Sequence, residues 1–289
     1  MAGENPVAGS GNPPRPPIKQ PAFRITSNKK KERYINMLIY GDYGVGKTTL
    51  AASSVCVPEM RDVLLGNVES GDMSIEDDLF EGLDTVDIQS YRQFARLYEF
   101  LRLHCKFRDM NDERALRALE EQFRGEPVET PRRYRTVIID SLTEVQKLAM
   151  YQLLGITVGE HPLDVEPESP QFKEWGSSAE MIRLLVRSFR DLPMHTIFVC
   201  SQSVDTDDKK KRFITPALPG KLANEVQGFL DVVGYYIAAP NESGEIKRRL
   251  YLQPGKTFQA KNRFPKFHGT YIDDPTMEKL LDLHKGATA

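Results

Sequence analysis

Apolar residues along the chain gather in short runs separated by longer amphipathic stretches. Ile35–Tyr40 (INMLIY) is one such run, and it stops at a glycine-rich loop. Val63–Val68, Thr85–Ile88, Arg135–Asp140 (RTVIID) and Thr196–Cys200 (TIFVC) are others, and each predicts a strand. Between them, apolar positions recur at helical spacing. Lys47–Val55 follows the first loop directly. In Tyr91–His104, Phe94, Leu97, Tyr98 and Leu101 share one face, and in Asp112–Arg124, Leu116, Leu119 and Phe123 form one stripe with Asn111 as the expected N-cap. Leu142–Leu154 and Ser177–Arg190 predict two more helices. Strands alternating with helices imply an α/β fold, with a mainly parallel central sheet flanked by helices on both faces. Val232–Ala238, Arg248–Leu252 and Thr257–Ala260 then predict a C-terminal β meander.

Composition bounds the picture without changing it. Of 289 residues, 40% are hydrophobic and 28% charged, which suits one globular α/β domain. Residues 1 to about 25 are rich in Pro, Gly, Ala and Asn and offer little to bury, so they predict a disordered tail ahead of a domain over 26–289. No apolar run reaches the roughly 18 residues of a membrane span, and the N-terminus lacks the apolar stretch of a secretory signal. Three widely spaced cysteines, Cys56, Cys105 and Cys200, suit a reducing cytoplasm better than a disulfide framework. The net charge of −2 leaves any case for nucleic acid to local patches.

The loop after the first strand carries the chemistry. Gly41-Asp42-Tyr43-Gly44-Val45-Gly46-Lys47-Thr48 matches G-x-x-x-x-G-K-[ST], with Thr49 following. Glycines let the backbone wrap phosphate closely and turn its N–H groups inward. Lys47 is expected to reach the β- and γ-phosphates and the Thr48 hydroxyl to ligate Mg²⁺, which makes ATP with Mg²⁺ the expected cofactor.

Other polar positions stand at strand ends. Asp140 closes RTVIID, where it can support Mg²⁺ or cap the next helix, a role Ser141 can equally fill. Glu69 follows the second strand and is either the group that polarises the attacking water or a solvated loop acid; Asp72 and Glu76 compete with it. Gln202, after TIFVC, is either a γ-phosphate sensor or a plain loop residue. The stretch Val204–Gly220 reads as a long charged loop, and Lys209-Lys210-Lys211-Arg212 within it suits a phosphate backbone or simply solvent. Lys261-x-Arg263 can be two surface cations or a finger reaching a neighbouring subunit's γ-phosphate. Tyr235, Tyr236 and Trp175 read as packing residues.

In order and spacing, the P-loop, Glu69, Asp140, Gln202 and Lys261-x-Arg263 resemble RecA-type ATPases. More narrowly they resemble phage-encoded RecA-like ATPases of the single-strand-annealing and recombination type, often described as AAA-family ATPases. The segment Ala217–Lys221, followed by Phe229–Val233, is also similar to the C-terminal half of that family. The resemblance implies a RecA-like P-loop fold and ATP hydrolysis. It implies the loop after Gln202 as a contact for single-stranded DNA, and Lys261 with Arg263 acting in trans within a ring or filament. A single-strand-binding or other replication protein is a further possible partner, and the host cytoplasm the expected location. Two other classes stay open: a small-molecule kinase, and a non-hydrolysing ATP switch that docks or loads a replication partner. A GTPase is disfavoured, since Asp140 is followed by Ser-Leu-Thr and no Asn-Lys-x-Asp guanine reader is present.

Overall fold

The computed structural model describes residues 33–69, 81–159, 166–206, 212–241 and 243–286. The N-terminal tail, Asp72, Glu76 and Lys209–Lys211 lie outside the described residues.

The first strand, β1 (Asn36–Gly41), is buried along nearly its whole length because it has parallel neighbours on both sides. This is why INMLIY reads as a continuous apolar run rather than an alternating one. Its side chains still alternate in space. Leu38 and Tyr40 enter one core, and Met37 and Ile39 the other. The remaining strands are β2 (Val63–Asn67), β3 (Leu83–Asp87), β4 (Thr136–Asp140), β5 (His195–Thr206), β6 (Arg212–Pro216), β7 (Val232–Pro240), β8 (Ile246–Tyr251) and β9 (Tyr271–Asp273). Their order in the sheet is β3-β2-β4-β5-β1-β7-β8-β9, with β6 paired to β5 off that path. From β3 to β7 all neighbours are parallel, and β8 and β9 join antiparallel. The architecture is the expected α/β fold, a mainly parallel central sheet flanked by helices, with a C-terminal meander. The C-terminal ends of β1, β2, β4 and β5 therefore share one edge, where a sheet of this kind binds ligands.

Helices cover both faces. Helix α1 (Lys47–Ala52), continued by a 3-10 turn at Ser53–Cys56, packs with α7 (Met277–Lys285) over Met37 and Ile39. On the other face lie α2 (Gln93–Asp109), α3 (Glu113–Arg124), α4 (Leu142–Leu153), α5 (Phe172–Arg190) and α6 (Leu222–Phe229).

Several expectations need correction. Asp112, not Asn111, caps α3: its carboxylate accepts the Ala115 N–H at 3.0 Å, while Asn111 takes a positive φ of 53° in the turn before it. Within the expected loop Val204–Gly220, Val204–Thr206 is instead the end of β5 and Arg212–Pro216 is β6, and the two pair antiparallel. Thr257–Ala260 is not a strand and contributes only a bridge from Phe258 to Ile214. Trp175 is 43% exposed on α5 rather than packed.

Candidate nucleotide-binding site

β1 delivers the P-loop to the sheet edge. A Cβ on Gly41 would stand 2.1 Å from the Tyr236 carbonyl oxygen of β7, so only glycine fits there. Gly46 has φ of 93°, the left-handed conformation that glycine adopts without strain, and turns the chain into α1. Lys47 folds back over its own loop, donating to the carbonyls of Asp42 at 2.7 Å and Gly41 at 3.2 Å. Burial pushes the Lys47 pKa down, while the Asp140 and Glu69 carboxylates pull it up. Tyr43 stands exposed at the tip, with the Lys47 ammonium 5.8 Å from its ring centre. Thr48 and Thr49 follow, half-buried, in the first turn of α1.

Two acids approach from neighbouring strands. Asp140 ends β4, buried, and accepts the Thr48 hydroxyl at 2.5 Å. Burial pushes its pKa up to about 6. The Thr48 bond and Lys47 oppose that rise and Glu69 adds to it. The Asp140–Ser141 peptide is cis. The cap of α4 falls to Ser141, whose hydroxyl oxygen accepts the Glu144 N–H at 3.4 Å, so the Asp140 carboxylate stays with Thr48. The same Ser141 hydroxyl donates to the Glu69 carboxylate. Glu69 reaches this point because the Val68 N–H still donates to the Asp140 carbonyl, at 2.7 Å, after β2 has ended. Thr143 accepts the Ser201 N–H at 3.1 Å and so fixes the start of α4 against β5.

Thr48 and Asp140 offer two hard oxygen donors side by side. That set fits Mg²⁺, which takes one or two protein oxygens and completes its shell with phosphate and water. The Asp140 carboxylate, held at an uncomfortable pKa by burial, is one that a cation would relieve.

Gln202 sits in β5 two residues beyond the buried Cys200. It lines a cavity of about 420 Å³ with Asp42, Tyr43, Gly44, Tyr235 and Tyr236, and its buried side-chain oxygen has no partner among the described residues. Arg212 opens β6, exposed. Lys261 and Arg263 are not brought to this loop. The Lys261 ammonium donates to the carbonyls of Gln227 at 2.7 Å and Leu230 at 3.0 Å, at the end of α6. Arg263 pairs with Asp231 at 3.0 Å. Among the described residues a cation from elsewhere in the chain does touch the P-loop: Arg248 of β8, whose Nε donates to the Val45 carbonyl at 3.3 Å. Its place depends on the β7–β8 register, which nothing local to Lys247-Arg248-Arg249 reveals.

Comparison with known proteins follows from this geometry. Residues 33–264 match the family described as the AAA domain. No curated protein matches. Among solved structures, the crystal structure of the RadB recombinase aligns over 83% of this chain and 86% of that one, at 12% identity and a TM-score of 0.40. Among the described residues no helix is long and apolar enough to cross a membrane. With four fifths of its length under one family pattern and a P-loop at the sheet edge, the chain belongs to the AAA-domain family of P-loop ATPases.

Proposed function

We propose that this protein is a Mg²⁺-dependent ATPase of the RecA-like type that acts on single-stranded DNA, as an oligomer, in recombination, annealing or replication. The observation that carries the ATPase reading is the convergence of Lys47, Thr48, Asp140 and Glu69 at one sheet edge, from three different strand ends. The backbone N–H groups from Gly44 to Thr48 cradle the β- and γ-phosphates. Lys47 exchanges its two loop carbonyls for phosphate oxygens, a stronger charge-assisted partner. Thr48 and Asp140 hold Mg²⁺, which supplies charge neutralisation on the phosphates when bound. Glu69 orients the attacking water and takes its proton, with Ser141 fixing the carboxylate.

The DNA reading rests on the motif order and on β5. One continuous strand runs from Gln202, beside the P-loop, to Thr206 in the β5–β6 hairpin, whose second strand opens at Arg212; in sequence Lys209, Lys210 and Lys211 precede Arg212. A γ-phosphate felt at the Gln202 amide has a stiff path to that hairpin. The Lys261-x-Arg263 pair supplies the cation that acts in trans on a neighbour's nucleotide. The test is ATP hydrolysis with and without single-stranded DNA, beside Lys47→Ala. We expect turnover that DNA raises and that Lys47→Ala abolishes. Turnover indifferent to DNA, with phosphate passed to a small acceptor, would sink the DNA reading; binding without turnover would leave a switch.

A further inference from the structure

Three consecutive cations on β8, Lys247, Arg248 and Arg249, are treated very differently by their surroundings. Lys247 lies 3.6 Å from both Glu245 and Asp274, and Arg249 lies 2.7 Å from Asp273 with its guanidinium over the Tyr271 ring. Arg248 has no carboxylate at ion-pair distance among the described residues. Its side chain makes one hydrogen bond there, from Nε to the Val45 carbonyl. A guanidinium carries five N–H donors, so most of its capacity is unspent.

The register fixes where it stands. Gly41 of β1 is level with Tyr236 of β7, and Arg248 is level with Ala238, two residues further on. Arg248 thus overhangs the sheet edge at the height of the P-loop, and a Cβ built on Gly46 would lie 3.4 Å from its Nε. The flank matters too. Asp140 lies two strands from β1 on one side, with β5 between, and Arg248 lies two strands away on the other, with β7 between. Asp140 and Glu69 stand on the first flank, where Asp140 accepts from Thr48. The second flank holds a cation whose guanidinium has donors unspent among the described residues.

We propose that Arg248 is a nucleotide-binding residue of the same chain, contacting the α-phosphate of bound ADP or ATP on the side of the P-loop away from Asp140. This rests on the nucleotide reading above and adds to it a residue that belongs to neither the loop nor the Lys261-x-Arg263 pair. A charge-assisted bond to phosphate replaces the weaker one to the Val45 carbonyl. Because the α-phosphate is common to both nucleotides, losing this contact must weaken ADP and ATP alike.

Calorimetric titration of the full chain with Mg-ADP and with Mg-ATP tests this, using the unaltered protein, Arg248→Ala and Arg248→Gln. Glutamine keeps an N–H for Val45 and removes the charge. We expect both variants to lose affinity for both nucleotides by the same factor, about tenfold or more, with the melting temperature of Arg248→Gln unchanged in the absence of nucleotide. Arg248→Gln binding both nucleotides like the parent overturns the proposal and leaves Arg248 as a brace for Val45. A loss confined to ATP overturns it as well, since the contact would then be with the γ-phosphate. If the unaltered protein binds neither nucleotide, the underlying nucleotide reading fails, and this one with it.

Discussion

Glu69 shows what a single residue can be asked to do. Its carboxylate is held by the Ser141 hydroxyl, and Ser141 is held in turn by its role at the start of α4. Glutamine keeps the accepting oxygen and loses the ability to take a proton. We therefore expect Glu69→Gln to bind ATP within a few-fold of the parent and to lose turnover by a factor of about 100 or more, the usual worth of a general base. Single-turnover hydrolysis measured beside nucleotide binding checks this; hydrolysis at the parental rate removes Glu69 from the chemistry. At this scale the sequence was informative where a residue type is demanded by its place in the chain. Gly41, Gly46, Lys47 and Thr48 could be named because the P-loop spacing leaves no alternative. Asp140 was read as the Mg²⁺ partner because a P-loop demands one, yet both it and Ser141 suit the cap by residue type, and it is the contacts to Glu144 and Thr48 that separate them. Arg248 was invisible for a different reason: nothing local to Lys247-Arg248-Arg249 says which of the three overhangs the loop.

Elements were legible in proportion to how completely they are buried. β1 and β4 are buried on both faces, and their apolar runs marked them within a residue or two. β6 and β9 are short, and α6 and α7 follow turns with no strong signal, so none was anticipated. β5 was read as ending at Cys200 because its buried part ends close to there, while the polar half continues as a hairpin arm. The α2–α3 pair, expected as two helices, is tied down by polar as well as apolar contacts. Arg124 of α3, paired with Glu120 a turn earlier, meets Asp84 of β3 and the Tyr134 hydroxyl before β4, and that hydroxyl donates to Asp84. His104 of α2 belongs to the same region. It is buried, its Nε2 lies 3.0 Å from the Arg132 carbonyl, and Phe100 and Tyr134 flank its ring. Burial pushes its pKa down to about 4, against the pull of the Arg132 carbonyl and with further depression from Arg108. The folded state thus holds His104 neutral at pH values where an unfolded chain, titrating near 6.5, has bound a proton. Between those values the unfolded state carries the extra proton, so stability rises with pH. The contribution is complete above about 6.5 and disappears as pH falls through about 4, and its full size is about 3 kcal/mol. We expect the melting temperature to fall between pH 7 and pH 4.5, and His104→Gln to flatten that fall. Parallel melting curves for the two proteins across this range would show that His104 does not sense the proton.

Across the whole molecule the question is whether the site is complete in one chain. The P-loop, Asp140 and Glu69 come together within it; Lys261 and Arg263 do not join them, and both are occupied elsewhere. The two are not equally occupied. Lys261 is half-buried and closes two carbonyls at the end of α6, and its backbone bridges to Val233 of β7. Withdrawing it leaves those carbonyls without their donor, at a cost of about 1–3 kcal/mol. Arg263 has a side chain 57% exposed, and its pair with Asp231 is a surface ion pair of the kind worth at most about 1 kcal/mol. A neighbour's phosphates outbid that partner easily. On the proposed trans reading, Arg263 is therefore the member of the pair that acts, and Lys261 the one that holds α6 against β7. Two variants separate these roles. We expect Lys261→Ala to lower the melting temperature by several degrees, and Arg263→Ala to leave it nearly unchanged while removing hydrolysis. Mixing Arg263→Ala with Lys47→Ala then pairs an intact P-loop with an intact arginine at some subunit junctions, and a fraction of the parental activity should return. Mixed assemblies that form, as seen by size-exclusion chromatography, yet stay inactive would place the finger elsewhere or make each chain's site self-sufficient.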